Sequence, residues 1–335
     1  HTVVVICIDR ELLADRDLVT WIDECGALIE KAETKGGLVN IEGEAFYRIA
    51  HSEQMRPFFM SLVSDANHWM FLSSNGALTA GRKNSEYALF PYYTDDKITE
   101  SLEITGCKTI FRVLKGAKEL LWEPFSDRYE GLYRVRRNLY KNTYGNKILF
   151  EEENLDLDLV FSYQWNSSNR FGFVRKAKLA NRGGEEVSVR LLDGLQNLMP
   201  FGVTTELQNT RSNLVDAYKK SELLPETGLG IYALSAIIVD RAEPSEALKA
   251  NTVWSEGLDN PTYLLSSLQL DAFRRGGEVR QETVVKGEKG AYFVKAAFEL
   301  GAGEQRSWRL VANVNQGPSD IPNLSKMLEE PDRLV

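Results

Sequence analysis

An all-β sandwich, mainly antiparallel and with few helices, is the fold expected of this 335-residue chain. Three observations lead there. Leu155, Leu157, Leu159, Phe161, Tyr163 and Trp165 are separated by Asp156, Asp158, Val160, Ser162 and Gln164, the period of two that marks a half-buried strand. Turn signals stand at Asn75-Gly76, Asn181–Gly184, Lys286-Gly287 and Gly301–Gly303, as in a protein built of hairpins. Helical periodicity is confined to a few stretches, and no internal repeat points to a propeller or a solenoid.

The elements follow in order. The run VVVICI at Val3–Ile8 is too short for a signal-peptide core. Leu18, Ile22, Cys25 and Ile29 lie four, three and four residues apart, so a helix is expected over Asp17–Lys35, stopped by Gly36-Gly37. From Leu38 onward the period falls to two. Strands are expected near 57–64, 68–74, 109–114, 131–140, 171–180, 186–193, 229–239, 291–299 and 306–313, besides Leu155–Trp165. A polar helix over Thr204–Leu223 suits the surface. Ile321–Val335 is short and amphipathic, carries Pro322 and Pro331, and reads as a linker helix. The expected organisation is an N-terminal helical and strand extension (1–50), one large sandwich (51–318) and the linker (319–335).

Composition narrows the function. Hydrophobic content of 43% and charged content of 26% fit a soluble globular domain. A formal net charge of −8 with no Lys/Arg run disfavours nucleic acid and anionic membranes as partners. No apolar window is long enough to span a bilayer as a helix. Cys7, Cys25 and Cys107 are far apart and odd in number, which argues against a disulfide framework and a thiolate metal cluster and leans towards a reducing, cytoplasmic compartment. His1, His51 and His68 show no metal-ligand spacing, and no metal or other cofactor is expected. Starting at His1 instead of Met, the chain reads as processed or as part of something longer.

Chemistry concentrates in Ser73–Ile98, SSNGALTAGRKNSEYALFPYYTDDKI. It has no sustained period, so a surface loop pinned between strands is expected. Aromatic faces beside Asp, Asn and Arg are what a sugar needs: flat surfaces for C–H faces and planar groups for hydroxyls. The plainer reading is an ordered loop that caps the end of a sheet. Glu151-Glu152-Glu153 is read as a solvated edge, since neighbours on a strand face opposite ways and make no catalytic pair. Arg134 and Arg136 share a face, and with Arg137 are expected to pair with acidic residues such as Glu151–Glu153 on a neighbouring strand. His68 offers a general acid or a hydroxyl donor, against the commoner case of a strand histidine satisfied locally. Nucleophile motifs and phosphate-cradling glycine loops are absent. No catalytic residue is therefore assigned.

The loop resembles the N-terminal domain of the cellobiose and chitobiose phosphorylase family, which carries a Gly-rich, Asn-Arg-Glu-containing segment leading to a Pro-aromatic-Asn/Asp turn. Val174–Leu195 (VRKAKLANRGGEEVSVRLLDGL) resembles that domain's hairpin with a Leu-Asn-Arg turn, and Phe298–Asn315 resembles its closing strand pair. The resemblance covers roughly residues 57–315, by pattern more than by identity. It implies a super-β-sandwich related to the galactose mutarotase fold, joined by a linker to an (α/α)6 barrel that holds the catalytic Asp and the phosphate site. Too few residues follow Asn315 for such a barrel, so no catalytic or phosphate residue is carried over. What is carried over is the loop: Arg82, Asn84 and Glu86, then Tyr92, Tyr93 and Asp95, as substrate-binding residues at the entrance.

The resemblance thus implies a carbohydrate-related domain that contributes one wall of a sugar site and dimer contacts without turnover of its own. Its partners would be a mono- or oligosaccharide, a second copy of the chain and the barrel of the parent protein. Two other readings stay open. An aldose 1-epimerase would need His51 or His68 as its imidazole. A stand-alone binding module would stack a glycan on Tyr92 and Tyr93, because Trp69 and Trp165 read as core residues.

Overall fold

The computed structural model describes residues 33–116, 118–238 and 247–330. The helix expected over Asp17–Lys35 falls outside them up to residue 32, as do Cys7 and Cys25. In chain order the elements are β1 (Lys35–Ile41), β2 (Glu44–Ala50), β3 (Phe59–Leu62), β4 (His68–Ser73), β5 (Leu78–Arg82), α1 (Asp95–Glu100), β6 (Gly106–Lys115) and β7 (Lys118–Trp122). Then come β8 (Val135–Asn142), β9 (Ile148–Asn154), β10 (Leu159–Ser168), β11 (Gly172–Asn181), β12 (Val187–Leu198), α2 (Thr205–Tyr218), β13 (Lys219–Leu224) and β14 (Leu229–Leu234). The chain continues through β15 (Ala250–Glu256), β16 (Thr262–Leu264), α3 (Leu270–Arg274), β17 (Val284–Lys286), β18 (Gly290–Leu300), β19 (Gln305–Gln316) and α4 (Asp320–Glu329).

The strands make one 11-stranded sheet in the order β1-β2-β8-β9-β10-β11-β19-β15-β14-β13-β17, a five-stranded sheet β16-β18-β12-β6-β7 and a three-stranded sheet β3-β4-β5. Pairing is antiparallel throughout the central strands. The mainly β sandwich expected from the alternation is the fold found. Phe161, Tyr163 and Trp165 of β10 all point inward to meet Phe111 of β6 and Leu191 of β12. Phe111 sits edge-on to Phe161 at 5.2 Å, and Phe161 stacks on Trp308 of β19 at 6.0 Å. The small sheet β3-β4-β5 adds Leu62, Met70, Leu72, Leu78 and Ala80 to the same core.

Helices cover parts of both outer faces. Leu270 and Phe273 of α3 pack on Ile110, Leu192 and Phe293, the outward residues of the five-stranded sheet. Leu328 of α4, with Ile321, Leu324 and Met327 beside it, covers Trp254 and Val311 on the outer face of the large sheet. No helix among the described residues is long and apolar enough to cross a membrane.

Several expectations are corrected. Gly36-Gly37 lies inside β1, where it meets Ile49 and Arg48, instead of ending a helix. Residues 155–158 form a turn before β10, because the Asn154 side chain accepts from the amides of Asp156 and Leu157, both at 3.1 Å. Leu157 is nonetheless buried, so the alternation ran on through the turn. The helix expected to Leu223 stops at Tyr218, where Lys219 turns extended and β13 begins. β8 starts at Val135, past a bend with Gly131 at φ 80°. Within Ser73–Ile98 the chain is not a surface loop throughout: β5 runs through it, and Ala77, Leu78, Thr79, Ala80, Leu89 and Phe90 are buried. A strand covered on both faces shows no alternation to read.

Candidate functional site

The six loop residues hold the loop together. Arg82 ends β5, donating from Nε to Asn67 at 2.7 Å and from Nη1 to Asn313 at 3.1 Å. Asn84 caps the short turn Ser85–Tyr87 by accepting from the Glu86 amide at 3.1 Å, and its carbonyl accepts from the Trp69 indole at 3.1 Å. The Glu86 carboxylate accepts from the amide of Thr205, the first residue of α2, at 3.2 Å. Tyr93 accepts from Gln208 of α2 at 3.0 Å. Asp95, expected in a loop, is the first residue of α1 and accepts from the amide of Asp96 at 3.0 Å. Tyr92 is 39% exposed, with its ring edge-on to Trp69 at 5.4 Å. None of the six lines either of the two clefts described next.

His68 is 8% exposed. Its Nδ1 lies 3.3 Å from Ser64 Oγ, its ring is edge-on to Phe173 at 5.1 Å, and Nε2 has no partner among the described residues. Burial, aided by the nearby Arg82 charge, pulls its pKa down to about 4, so the ring is neutral near pH 7.

One cleft, of about 390 Å³, opens beside Trp122, Phe125 and Tyr133. Its inner carboxylate is Glu152, read from sequence as part of a solvated edge but buried here. It accepts from Trp122 Nε1 at 2.9 Å, the Phe125 amide at 2.8 Å and Arg137 Nε at 2.7 Å. The expected pairing with the glutamate run is present for Arg137 and for Arg136, which lies 3.7 Å from Glu153 on the opposite face, whereas Arg134 pairs with Asp156 at 2.7 Å. With three donors already on it, the Glu152 carboxylate has little left to offer a ligand.

A larger cleft, of about 740 Å³, lies on the outer face of the 11-stranded sheet. Strand register builds it. Arg48 of β2 stands opposite Tyr140 of β8, Tyr140 opposite Leu149 of β9, and Leu149 opposite Gln164 of β10. Gln164 then faces Lys176 of β11, Lys176 faces Arg309 of β19, and Arg309 faces Glu256 of β15. Two residues along, Asn138, Glu151, Ser162, Lys178 and Ser307 make a second, parallel row. At about 4.8 Å per strand, the first row crosses roughly 29 Å of sheet.

The acids in these rows are engaged. Glu151 accepts from Tyr140 at 2.8 Å and from Asn138 at 2.9 Å. Burial and the adjacent Glu151 both raise the Tyr140 pKa, so the phenol stays protonated as donor. Arg48 donates to Asn138 at 3.0 Å and rides 5.9 Å from the Tyr140 ring centre. Glu256 is bound by Arg309. Glu151 and Glu256 stand four strands apart, about 19 Å along the sheet, well beyond the separation glycoside chemistry uses. The rows form a long strip of donors and acceptors on the sheet, interrupted by Leu149. Sequence reading did not single out Lys176, Lys178, Gln164, Arg309 or Glu256. The alternation of Gln164, Lys176 and Lys178 with buried neighbours was visible, but β15, which carries Glu256, shows none, and the register that aligns seven strands could not be read.

No protein-family model matches the sequence, and no curated protein matches it. Similar solved structures include a polysaccharide lyase, at 13% identity and TM-score 0.43 over 81% of this chain and 34% of that one. Another is a structural-genomics protein of Synechocystis sp. PCC 6803, at 11% identity and TM-score 0.43 over 78% of this chain and 97% of that one. A third is a candidate aldose 1-epimerase of Klebsiella pneumoniae subsp. pneumoniae MGH 78578, at 8% identity and TM-score 0.42 over 92% and 94%. The chain spans about a third of the length of the polysaccharide lyase. The fold described here stands on its own strand registers.

Proposed function

We propose that this chain is a carbohydrate-binding super-β-sandwich of the kind that precedes the barrel in cellobiose and chitobiose phosphorylase-like proteins. The saccharide lies along the outer face of the large sheet. The observation that carries this reading is the row from Arg48 to Glu256, with Gln164 at its middle. A sugar chain presents a repeating series of hydroxyls, and a row of side chains one strand apart, polar at every position but Leu149, can bind them along its length. The chain supplies that face and contacts to a second copy, while turnover belongs to the barrel that the resemblance implies. His68 lies outside the cleft, buried and neutral, so it does not act on a sugar bound there.

Calorimetric titration of the 335-residue chain with neutral and acidic tetrasaccharides tests the reading. Gln164→Trp, which fills the middle of the strip, should abolish binding, and Tyr92→Ala should leave it intact. Binding that survives Gln164→Trp and disappears with Tyr92→Ala would move the site to the loop.

A further inference from the structure

The middle of the sheet-face cleft carries a charge pattern that neutral sugar binding does not require. Lys176 and Lys178 are exposed on the same face of β11, about 7 Å apart as alternate residues of a strand. Neither lysine side chain has an ion pair or hydrogen bond among the described residues. The registers explain why. Lys176 lies between Gln164 and Arg309, and Lys178 between Ser162 and Ser307, so no carboxylate stands directly opposite either one.

Like charges directly opposite across an antiparallel pair destabilise a sheet, and Lys176 faces Arg309 in that way. Arg309 is neutralised from its other side by Glu256, which leaves the lysine uncompensated. Over the whole cleft, four basic side chains (Arg48, Lys176, Lys178 and Arg309) meet three acidic ones; Glu256 and Arg309 neutralise each other, and Glu151 keeps its charge, since its partners Tyr140 and Asn138 are neutral. The remaining acid, Glu42, sits on the β1–β2 turn, four strands from β11. The balance is positive in a chain whose formal charge is −8. A local excess of cation at the centre of a binding strip, against the sign of the whole molecule, points to an anionic ligand.

We infer that the cleft takes an acidic saccharide whose carboxylate or sulfate groups sit between Lys176 and Lys178, with Ser162, Gln164 and Ser307 bonding adjacent hydroxyls. The inference rests on the proposal that this face binds sugars, and it specifies the class of sugar.

The test titrates the full chain with tetragalacturonate, with a sulfated heparin-type tetrasaccharide and with neutral cellotetraose, each in low and high salt. The acidic ligands are expected to bind more tightly than cellotetraose and to weaken as salt rises. Lys176→Gln with Lys178→Gln should weaken the acidic ligands by about ten-fold or more, because two charge-assisted bonds are lost, and should weaken cellotetraose far less, because glutamine can still bond a hydroxyl. Both lysines are exposed, and a melting temperature no lower than that of the unaltered chain would confirm that the variant is folded. Which acidic ligand binds better distinguishes carboxylate from sulfate, and tighter binding of either supports the inference. Cellotetraose binding as tightly as both, with the double variant unchanged, overturns the inference and leaves the sugar-binding proposal standing. No binding by any of the three overturns both.

Discussion

His68 shows how little a residue's chemistry says about its role until its surroundings are known. From sequence it was a general acid or a strand histidine satisfied locally; in the fold it is buried against Phe173 with one nitrogen unpartnered. The unfolded imidazole holds its proton up to about the ordinary 6.5, the folded one only to about 4. Between those values the folded state binds fewer protons, so His68 subtracts stability as pH falls through that window and costs none above it. The imidazole resonances of the folded chain should therefore show His68 titrating near 4, and a midpoint near 6.5 would refute the burial argument. The loop residues teach the same lesson. Arg82, Asn84, Glu86, Tyr93 and Asp95 have the composition of a sugar site, yet each is engaged in capping or bracing its own segment. Composition identified an ordered polar loop; partners decide what such a loop does.

Single elements were legible where one face is buried and the other wet. β10 and β11 announced themselves by alternation, and the turns at Asn75-Gly76 and Gly301–Gly303 by their residues. β5 and β15 are buried on both faces along most of their length and left no periodic trace. β13 was absorbed into the preceding helix because Lys219, Lys220 and Glu222 look like a helix surface, although Lys219 is buried and held by Asp216 at 2.7 Å. β12 carries the clearest constraint on an element's neighbours. A Cβ at Gly194 would come within 2.0 Å of the Tyr292 carbonyl oxygen on β18, so the glycine is what lets the two strands close. Gly194→Ala should cost about 3 kcal/mol through overpacking, read as a lower denaturation midpoint. A neutral result would show that β18 yields without penalty.

At the scale of the molecule, the two main sheets are joined by more than apolar contact. Arg175 of β11 donates to both oxygens of Asp193 of β12, at 2.9 and 2.7 Å, and both side chains are wholly buried. Trp308 of β19 donates to the same carboxylate at 2.6 Å, and Thr109 of β6 also donates to it at 2.6 Å. Four strands from two sheets meet at one carboxylate. Burial raises the nearby Cys107 thiol to about 11, which keeps it neutral beside this cluster. Asp193→Ala should cost about 3–5 kcal/mol, because the Arg175 charge would remain in the core without its partner. Urea denaturation measures it, and a loss no larger than that of a surface substitution would mean the guanidinium finds water. The sandwich class could be read from local patterns, but this junction could not. It depends on Arg175, Asp193 and Trp308, far apart in the chain, arriving at one point through sheet order.

The row from Arg48 to Glu256 runs along the hydrogen-bond direction of the sheet, at right angles to the chain. Each of its positions comes from a different strand, so a slip of one residue in any of the seven would turn that position inward and leave a gap in the series. The surface is thus a record of alignment, complete only when every strand has docked in phase. A molecule lying along it would stitch the seven strands together from outside, resisting lateral opening where the backbone ladders alone hold them, and slowed amide exchange would appear across the whole width of the sheet at once.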